Sequence, residues 1–397
     1  MRDWRRVSLN TIAEIYDGPH ATPTKLGHGP WYLNIASLQS GRLRLEESVH
    51  ITEDSFALWT RRVRPCPGDV LFSYETRLGE AAAMPDHITA CLGRRMGLLR
   101  PRRSEVEPRF LLYAYLGPLF QETIRQRTVH GATVERLPIS EMGTWEIEVP
   151  PLSEQLAIAE VLGALDDKIG ANRRTIGLLD NYARAVFESW FDVTQRVDGV
   201  PVDELVELNP SRSLRAGTPA AYVGMSSLPT TSAVISNWER KPAGSGQRFT
   251  NGDTLMARIT PCLENGKTAF VNILSDDEVG WGSTEYVVIR PRRPLPLEWG
   301  YCLARSDAFR AFAIQNMSGT SGRQRFSASS LHHYRIEPPA SDTSARFGEI
   351  AGPIFRMMGA LQTESRRLSL LRDVLLPGLL SGELKVRPAE DLIEDVV

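Results

Sequence analysis

The sequence lacks most of the features that would place it in a special class. No apolar run approaches the roughly 20 residues that a membrane-crossing helix requires. The opening MRDWRRVSLN is basic but no apolar stretch follows it, so it does not read as a secretory leader, and the cytoplasm is the expected location. Cysteine is scarce: Cys66, Cys91, Cys262 and Cys302 lie far apart with no C-x-x-C pair, which excludes a disulfide framework and leaves no zinc-ligand spacing. The seven histidines are scattered, and the one adjacent pair, His332-His333, has no Cys or acidic cluster beside it. It reads as a loop or strand edge. Neither charge sign dominates: 46 Lys and Arg against 48 Asp and Glu argue against an autonomous nucleic-acid binder. The balance is uneven, however, with nine Arg against four acids between Arg61 and Arg103. A local basic face is compatible with an overall neutral chain.

What the chain does contain is a pattern written twice. PCPGDVLFSYETRLGEAAAM (65–84) aligns with FTNGDTLMARITPCLENGKTAF (249–270), anchored on Gly68-Asp69 and Gly252-Asp253. HGATVERLPISEMGTWEIEVPP (130–151) aligns with GTSGRQRFSASSLHHYRIEPP (319–339), each ending in a Pro pair. A helix is expected after each pair, with Pro151 and Pro339 placed for helix starts and Ser153 and Ser341 as N-caps.

The first helix carries an apolar residue at steps of four and three: Ile158, Leu162, Leu165, Ile169, then Asn172, then Ile176 and Leu179. A 3.5-residue repeat marks a helix that seams against another helix. The second gives Ile350, Ile354, Met357, Leu361, Glu364, Leu368 and Leu371, and a shift of 192 residues places Ile158 on Ile350 and Asn172 on Glu364. Each helix is therefore expected to pair with its own repeat; the alternative is that each covers its own domain, as ordinary amphipathic helices do. The polar pair Asn172/Glu364 either fixes register or lies at a splayed edge. A helix of about 40 residues spans on the order of 60 Å, longer than a small domain is wide. Shorter helices are expected near 108–126 and 296–316, and Pro377 is expected to end or kink the last long helix.

These features resemble the specificity subunit of type I restriction–modification systems. The resemblance rests on EVPPLSEQLAIAEVLGALDDKIGANRRTIGLL, with Pro150-Pro151, Glu154-Gln155, the run at 158–166 and Lys168-Ile169, on the Gly-Asp turns at 68–71 and 252–255, and on LLPGLLSGELKV (375–386). The second helix start, PPASDTSA, lacks the Glu-Gln of the first. The resemblance implies an α+β fold: two similar mixed α/β target recognition domains in pseudo-twofold arrangement, separated by an antiparallel coiled coil of two long helices. It divides the chain into recognition domains at 1–150 and 196–340, long helices at 151–195 and 341–387, and a disordered acidic tail at 388–397.

The same resemblance implies a non-catalytic reader of double-stranded DNA with a bipartite target. Each domain would read one half, and the helix pair would set the spacer. Two methyltransferase subunits would dock on it, and restriction (translocase/nuclease) subunits would join them. S-adenosylmethionine, ATP and Mg are expected only on those partners, with no cofactor or metal in this chain and no membrane association. The alternatives are the recognition component of a differently assembled restriction–modification enzyme, or a coiled-coil scaffold that binds no DNA.

Base and phosphate contacts require Arg, Lys, Asn, Ser, Thr or similar donors on exposed loops. The loops after the Gly-Asp turns and before the pre-helix strands supply candidates in matched segments. In the first half these are Arg61, Arg62, Tyr74, Arg77, Arg94, Arg95, Arg127, His130 and Thr133. In the second they are Arg258, Thr260, Asn265, Lys267, Ser318, Thr320, Ser321, Arg323 and Arg325. Catalytic motifs are incomplete. Asn209-Pro210-Ser211-Arg212 lacks the second Pro and the aromatic of an adenine methyltransferase site, so nothing there receives a flipped base. Gly266-Lys267-Thr268 lacks the first glycine of a phosphate-binding loop, since residue 261 is Pro.

Overall fold

The computed structural model describes residues 3–19, 24–39, 41–130, 134–320 and 322–387. The acidic tail expected at 388–397 lies outside the described residues. Packing divides the chain into unit 1, Met1–Asp167 with Leu368–Val397, and unit 2, Lys168–Arg367. The two long helices are thus not bodies of their own, because each contributes a part to both units.

Unit 1 is built from β1 (Arg5–Ser8), β2 (Ala13–Asp17), β3 (Val70–Ser73), β4 (Ala81–Ala83), β5 (Met96–Pro101), α1 (Pro108–Leu116), α2 (Pro118–Arg127), β6 (Glu146–Val149) and the start of α3 (Leu152–Trp190). A four-stranded sheet runs β2-β5-β3-β4, and β1 pairs separately with β6. Strand β3 is buried along its whole length, as a central strand covered on both faces must be. The register sets Leu99 opposite Val70, and Val70 opposite Ala83. A smaller sheet, Val49–His50, Leu26–Tyr32 and Ala90–Cys91, lies beside it in the same unit.

Unit 2 repeats the plan in β7 (Val200–Pro201), β8 (Val206–Leu208), β9 (Thr254–Ala257), β10 (Thr268–Phe270), β11 (Tyr286–Pro291), α4 (Leu297–Arg305), α5 (Asp307–Gln315), β12 (Arg335–Ile336) and most of α6 (Ser341–Ser381). Its main sheet runs β8-β11-β9-β10, and β7 pairs with β12. Its core includes Phe187, Trp299, Tyr301, Phe309, Phe326 and Phe347.

The single helices expected near 108–126 and 296–316 are each split. Pro118 disfavours helical geometry at Gly117, and Ser306 accepts a hydrogen bond from Phe309 N–H, which starts a new helix. Ser153 and Ser341 both lie in first turns rather than at N-caps, since α3 begins at Leu152 and α6 at Ser341. Pro377 does not end α6, which continues to Ser381. Pro377 and a second proline, Pro353, both sit on the exposed face, where a lost backbone hydrogen bond opens toward water.

On α3 the residues Ile158, Leu162, Leu165, Ile169, Asn172 and Ile176 are buried, and Leu179 is partly so. On α6 the buried series is Phe347, Ala351, Ile354, Met358, Ser365, Leu368 and Leu375. Three positions of the expected stripe are therefore displaced by one residue, from Ile350, Met357 and Glu364 to Ala351, Met358 and Ser365. Ile350 and Leu371 are only partly buried, Glu364 is half-exposed, and Met357 is 50% exposed while Met358 is fully buried. Small Ala351 and Ser365 sit inside, where a bulkier side chain would hold the helices apart. Within unit 2 the helices run antiparallel: Asn172 meets Glu364 and Ser365, while Phe187 meets Phe347. Asn172 Nδ2 donates to Glu364 Oε2 (2.6 Å) and to Ser365 Oγ (3.2 Å), and Lys168 Nζ lies 3.3 Å from Glu364 Oε1. Within unit 1, Asp166 accepts from Arg372 Nη1 (2.8 Å) on α6 and from Tyr113 Oη (2.8 Å) on α1, and pairs with Arg42.

The start of α3 is fastened by Gln155, which is fully buried. Its Oε1 accepts from Glu107 N–H (2.9 Å), and its Nε2 donates to the carbonyls of Pro150 (2.8 Å) and Glu105 (3.3 Å). Replacing Gln155 by Leu keeps the volume but strands these buried backbone groups, each worth about 1–3 kcal/mol when left unpaired. The expected result is a loss of about 3 kcal/mol in chemical denaturation. A change below about 0.5 kcal/mol would show that the amide bonds do not hold the helix start.

Candidate nucleic-acid interface

Three segments converge in each unit, and the same backbone bonds bring them together. In unit 1 Tyr74 N–H donates to the Arg95 carbonyl (3.1 Å), Leu137 N–H to the Tyr74 carbonyl (2.9 Å), and Thr76 N–H to the Glu135 carbonyl (3.4 Å). In unit 2 Arg258 N–H donates to the Glu285 carbonyl (3.0 Å), Phe326 N–H to the Arg258 carbonyl (2.7 Å), and Thr260 N–H to the Gln324 carbonyl (3.1 Å). Tyr74 thus corresponds to Arg258, Arg95 to Glu285, and Leu137 to Phe326. The duplication is exact enough to be followed bond by bond.

The Gly-Asp turns anchor both constellations. Gly68 and Gly252 have φ of 90° and 87°, a conformation that other residues rarely adopt. The Asp that follows is buried and caps its own turn, Asp69 accepting from Cys66 N–H (2.8 Å) and Asp253 from Thr250 N–H (2.7 Å). Each also pairs with an Arg on the neighbouring strand: Arg100 Nη2 to Asp69 (2.7 Å) and Arg290 Nη1 to Asp253 (2.7 Å). Asp253 takes a further guanidinium, Arg212 Nη2, at 2.7 and 2.8 Å. The sequence carried a signal for this pairing, because Arg-Pro-Arg-Arg recurs at 100–103 and 290–293.

The predicted contact residues fall into three groups. Arg61, Arg94, Arg127, Asn265, Ser318, Thr320 and Arg323 are exposed on these loops or next to them. Others are exposed or half-exposed but already paired: Arg62 with Asp17, Arg95 Nε with Glu75 (2.7 Å), His130 Nδ1 with Glu135 (2.9 Å), and Arg258 and Arg325 both with Glu285. A last group turns inward. Arg77 donates to the Ile35 and Ala36 carbonyls (3.2 and 3.0 Å), Lys267 Nζ to the Met225 carbonyl (2.9 Å), and Thr260 Oγ1 lies 4.0 Å from the Met317 sulfur. Tyr74 is 6% exposed, and burial raises the pKa of its hydroxyl. It supports the loop from beneath instead of presenting a contact, because it continues directly from β3, which is buried on both faces. Thr133 and Ser321 lie outside the described residues.

Sequence reasoning missed Glu285. Its carboxylate accepts from Arg325 Nε (3.0 Å) and from Arg258 Nε (3.2 Å), with Arg325 Nη2 at 2.9 Å. The Arg325 hydrogen bond, with the Arg258 charge beside it, holds this carboxyl below its usual pKa despite partial burial. Among the described residues no cluster of three or more His, Cys, Asp and Glu is placed to hold a metal ion. No helix among them is long and apolar enough to cross a membrane.

Residues 1–179 match the family described as the type I restriction modification DNA specificity domain. The chain is 26% identical over 224 residues to a Methanocaldococcus jannaschii protein assigned as the type I restriction enzyme MjaX specificity subunit, covering 52% of each. It is 27% identical over 217 residues to the type I restriction enzyme EcoEI specificity subunit of Escherichia coli, covering 52% of this chain and 36% of that one. The chain thus spans about half the length, or less, of these curated relatives in the matched regions. In fold it is similar to the crystal structure of a type I restriction–modification S subunit from M. genitalium, with a TM-score of 0.57 over 95% of this chain and 96% of that one, at 14% identity.

Proposed function

We propose that this chain, whose residues 1–179 match the type I restriction modification DNA specificity domain, is the non-catalytic, cytoplasmic DNA reader of a type I restriction–modification complex. Each unit reads one half of a bipartite double-stranded target, and the paired helices α3 and α6 set the unread spacer. The observation that carries this reading is the duplicated constellation of three loops, bonded alike in both units. B-DNA presents the same face about every 34–36 Å, so two like readers suit two half-sites if they are held at a fixed separation. A long helix gives that fixity, which a Gly/Ser linker would not. The S-adenosylmethionine, ATP and Mg of such a system then belong to partner subunits, and this chain needs none of them.

Partner number also has support in the duplication. Leu178 and Tyr182 lie exposed one turn apart on α3, at 70% and 55%. The shift of 192 residues takes them to Leu370 and Val374 on α6, exposed at 59% and 75%. Two repeated apolar pairs fit two copies of one partner, which we assign as the methyltransferase subunit. This favours the type I assembly over an enzyme with a single catalytic chain. Leu178→Asp and Leu370→Asp are each expected to leave folding unchanged within about 0.5 kcal/mol, as exposed substitutions do. Each is expected to give a complex with one methyltransferase fewer, and the double variant a free chain. Light scattering of the co-purified complex reads the count. Full occupancy in the double variant would contradict the assignment.

A further inference from the structure

Glu285 sits where the two reading constellations differ most. In unit 1 its equivalent is Arg95 and the equivalent of Arg258 is Tyr74, so the acid and base there sit on other positions: Arg95 Nε pairs with Glu75 at 2.7 Å, and Glu75 holds one guanidinium where Glu285 holds two. Glu285 comes from the turn entering β11, Arg258 from the end of β9, and Arg325 from the segment after α5. The carboxylate engages Arg325 side-on through Nε and Nη2, and takes only Nε of Arg258. The terminal nitrogens of Arg258 have no protein partner among the described residues. The Glu285 side chain keeps 22% of its surface exposed and that of Arg258 33%.

An isolated arginine on such a face attracts any phosphate, whatever the sequence. With a carboxylate already bonded to it, a phosphate must compete with an anion in place, which weakens sequence-independent binding. A ligand that satisfies acid and base together must offer acceptors and a donor side by side. In the major groove a G·C pair does so: guanine N7 and O6 accept from a guanidinium, and cytosine N4 donates to a carboxylate. An A·T pair breaks the acceptor pair with the adenine N6 donor and adds a thymine methyl.

We propose that Glu285 is a specificity-determining residue: held with Arg258 and Arg325, it makes unit 2 select a G·C base pair at one position of its half-site. Arg258 donates to the guanine, Glu285 accepts from the cytosine, and Arg325 fixes the orientation of the carboxylate. The inference rests on the reading of the two units as DNA readers. It also predicts unlike half-sites, because unit 1 lacks the triad.

The test uses the assembled complex of this chain with its methyltransferase partners, a pool of duplexes of random sequence, and sequencing of the bound fraction. The wild-type complex is expected to enrich a two-part motif with a G·C pair in the half read by unit 2. Glu285→Gln is expected to lower the preference at that position by roughly ten- to a hundredfold, the scale of one base-specific contact. The other half should be unchanged, and binding to non-target duplex at the same salt should rise. Should that variant fail to assemble, Arg258→Lys, which keeps the charge but not the fork, carries the same expectation at the same position. Unchanged preference in either variant, or a loss spread evenly over both halves, overturns the proposal. A wild-type complex that enriches no sequence refutes the DNA-reading function itself, and a two-part motif indifferent to Glu285→Gln refutes only the role of Glu285.

Discussion

Asp253→Ala is expected to cost about 3–5 kcal/mol, because it removes the shared partner of two guanidinium groups from a position with no solvent access. Arg212 has 16% of its side chain exposed and Arg290 31%, so water screens the second more than the first and the lower end of the range is expected. For a unit of this size that corresponds to a fall of about 10 °C in Tm. Asp69→Ala provides the internal comparison. Asp69 is almost as buried but pairs with one arginine, Arg100, whose side chain is 32% exposed. Its loss should be about half as large. Calorimetry of both variants checks the order, and an equal or reversed order would show that the second guanidinium adds nothing. The functional consequence follows from position, since Asp253 fixes the turn that leads through β9 to Arg258.

Leu165→Asp is expected to be worse still. Leu165 is 2% exposed on the buried stripe of α3, beside Ile158 and Leu162 at 1% and 0%. Removing a buried leucine costs about 2–5 kcal/mol, and an unpaired buried carboxylate adds more. A total above about 5 kcal/mol is comparable to the whole stability of a domain. Loss of the helix pairing within unit 1, a drop in helical circular dichroism and failure to co-purify with methyltransferase subunits are all expected. Leu156→Asp is the control, since Leu156 is 50% exposed on the same helix and should leave stability within about 0.5 kcal/mol of wild type. Similar behaviour of the two variants would mean that the stripe is not a seam.

The seam on α3 was legible because its residues are large and apolar, so period alone picks them out. On α6 the same rule chose Ile350 over Ala351 and Glu364 over Ser365, because hydrophobicity cannot report that a close approach favours small residues, and it chose Met357 over the adjacent Met358, which residue type cannot separate. The Gly-Asp repeats located the candidate loops, yet their physical role as buried ion pairs needed the strand register that sets Arg100 and Arg290 alongside. Gln155 was visible only as part of a motif, and its work as a buried bridge to residues 105, 107 and 150 is tertiary. The candidate arginines were found by type and loop position. Which of them are neutralised depends on acids far along the chain, such as Asp17 for Arg62 and Glu285 for Arg258. No local pattern encodes those pairings.

Methylome sequencing of a host that carries this chain and its partner subunits tests most directly whether two matched readers act as one measuring device. The expected result is a single methylated motif in two short unlike halves with a gap of constant length, absent when this chain is deleted. A contiguous motif, or two halves whose separation varies from site to site, would contradict it.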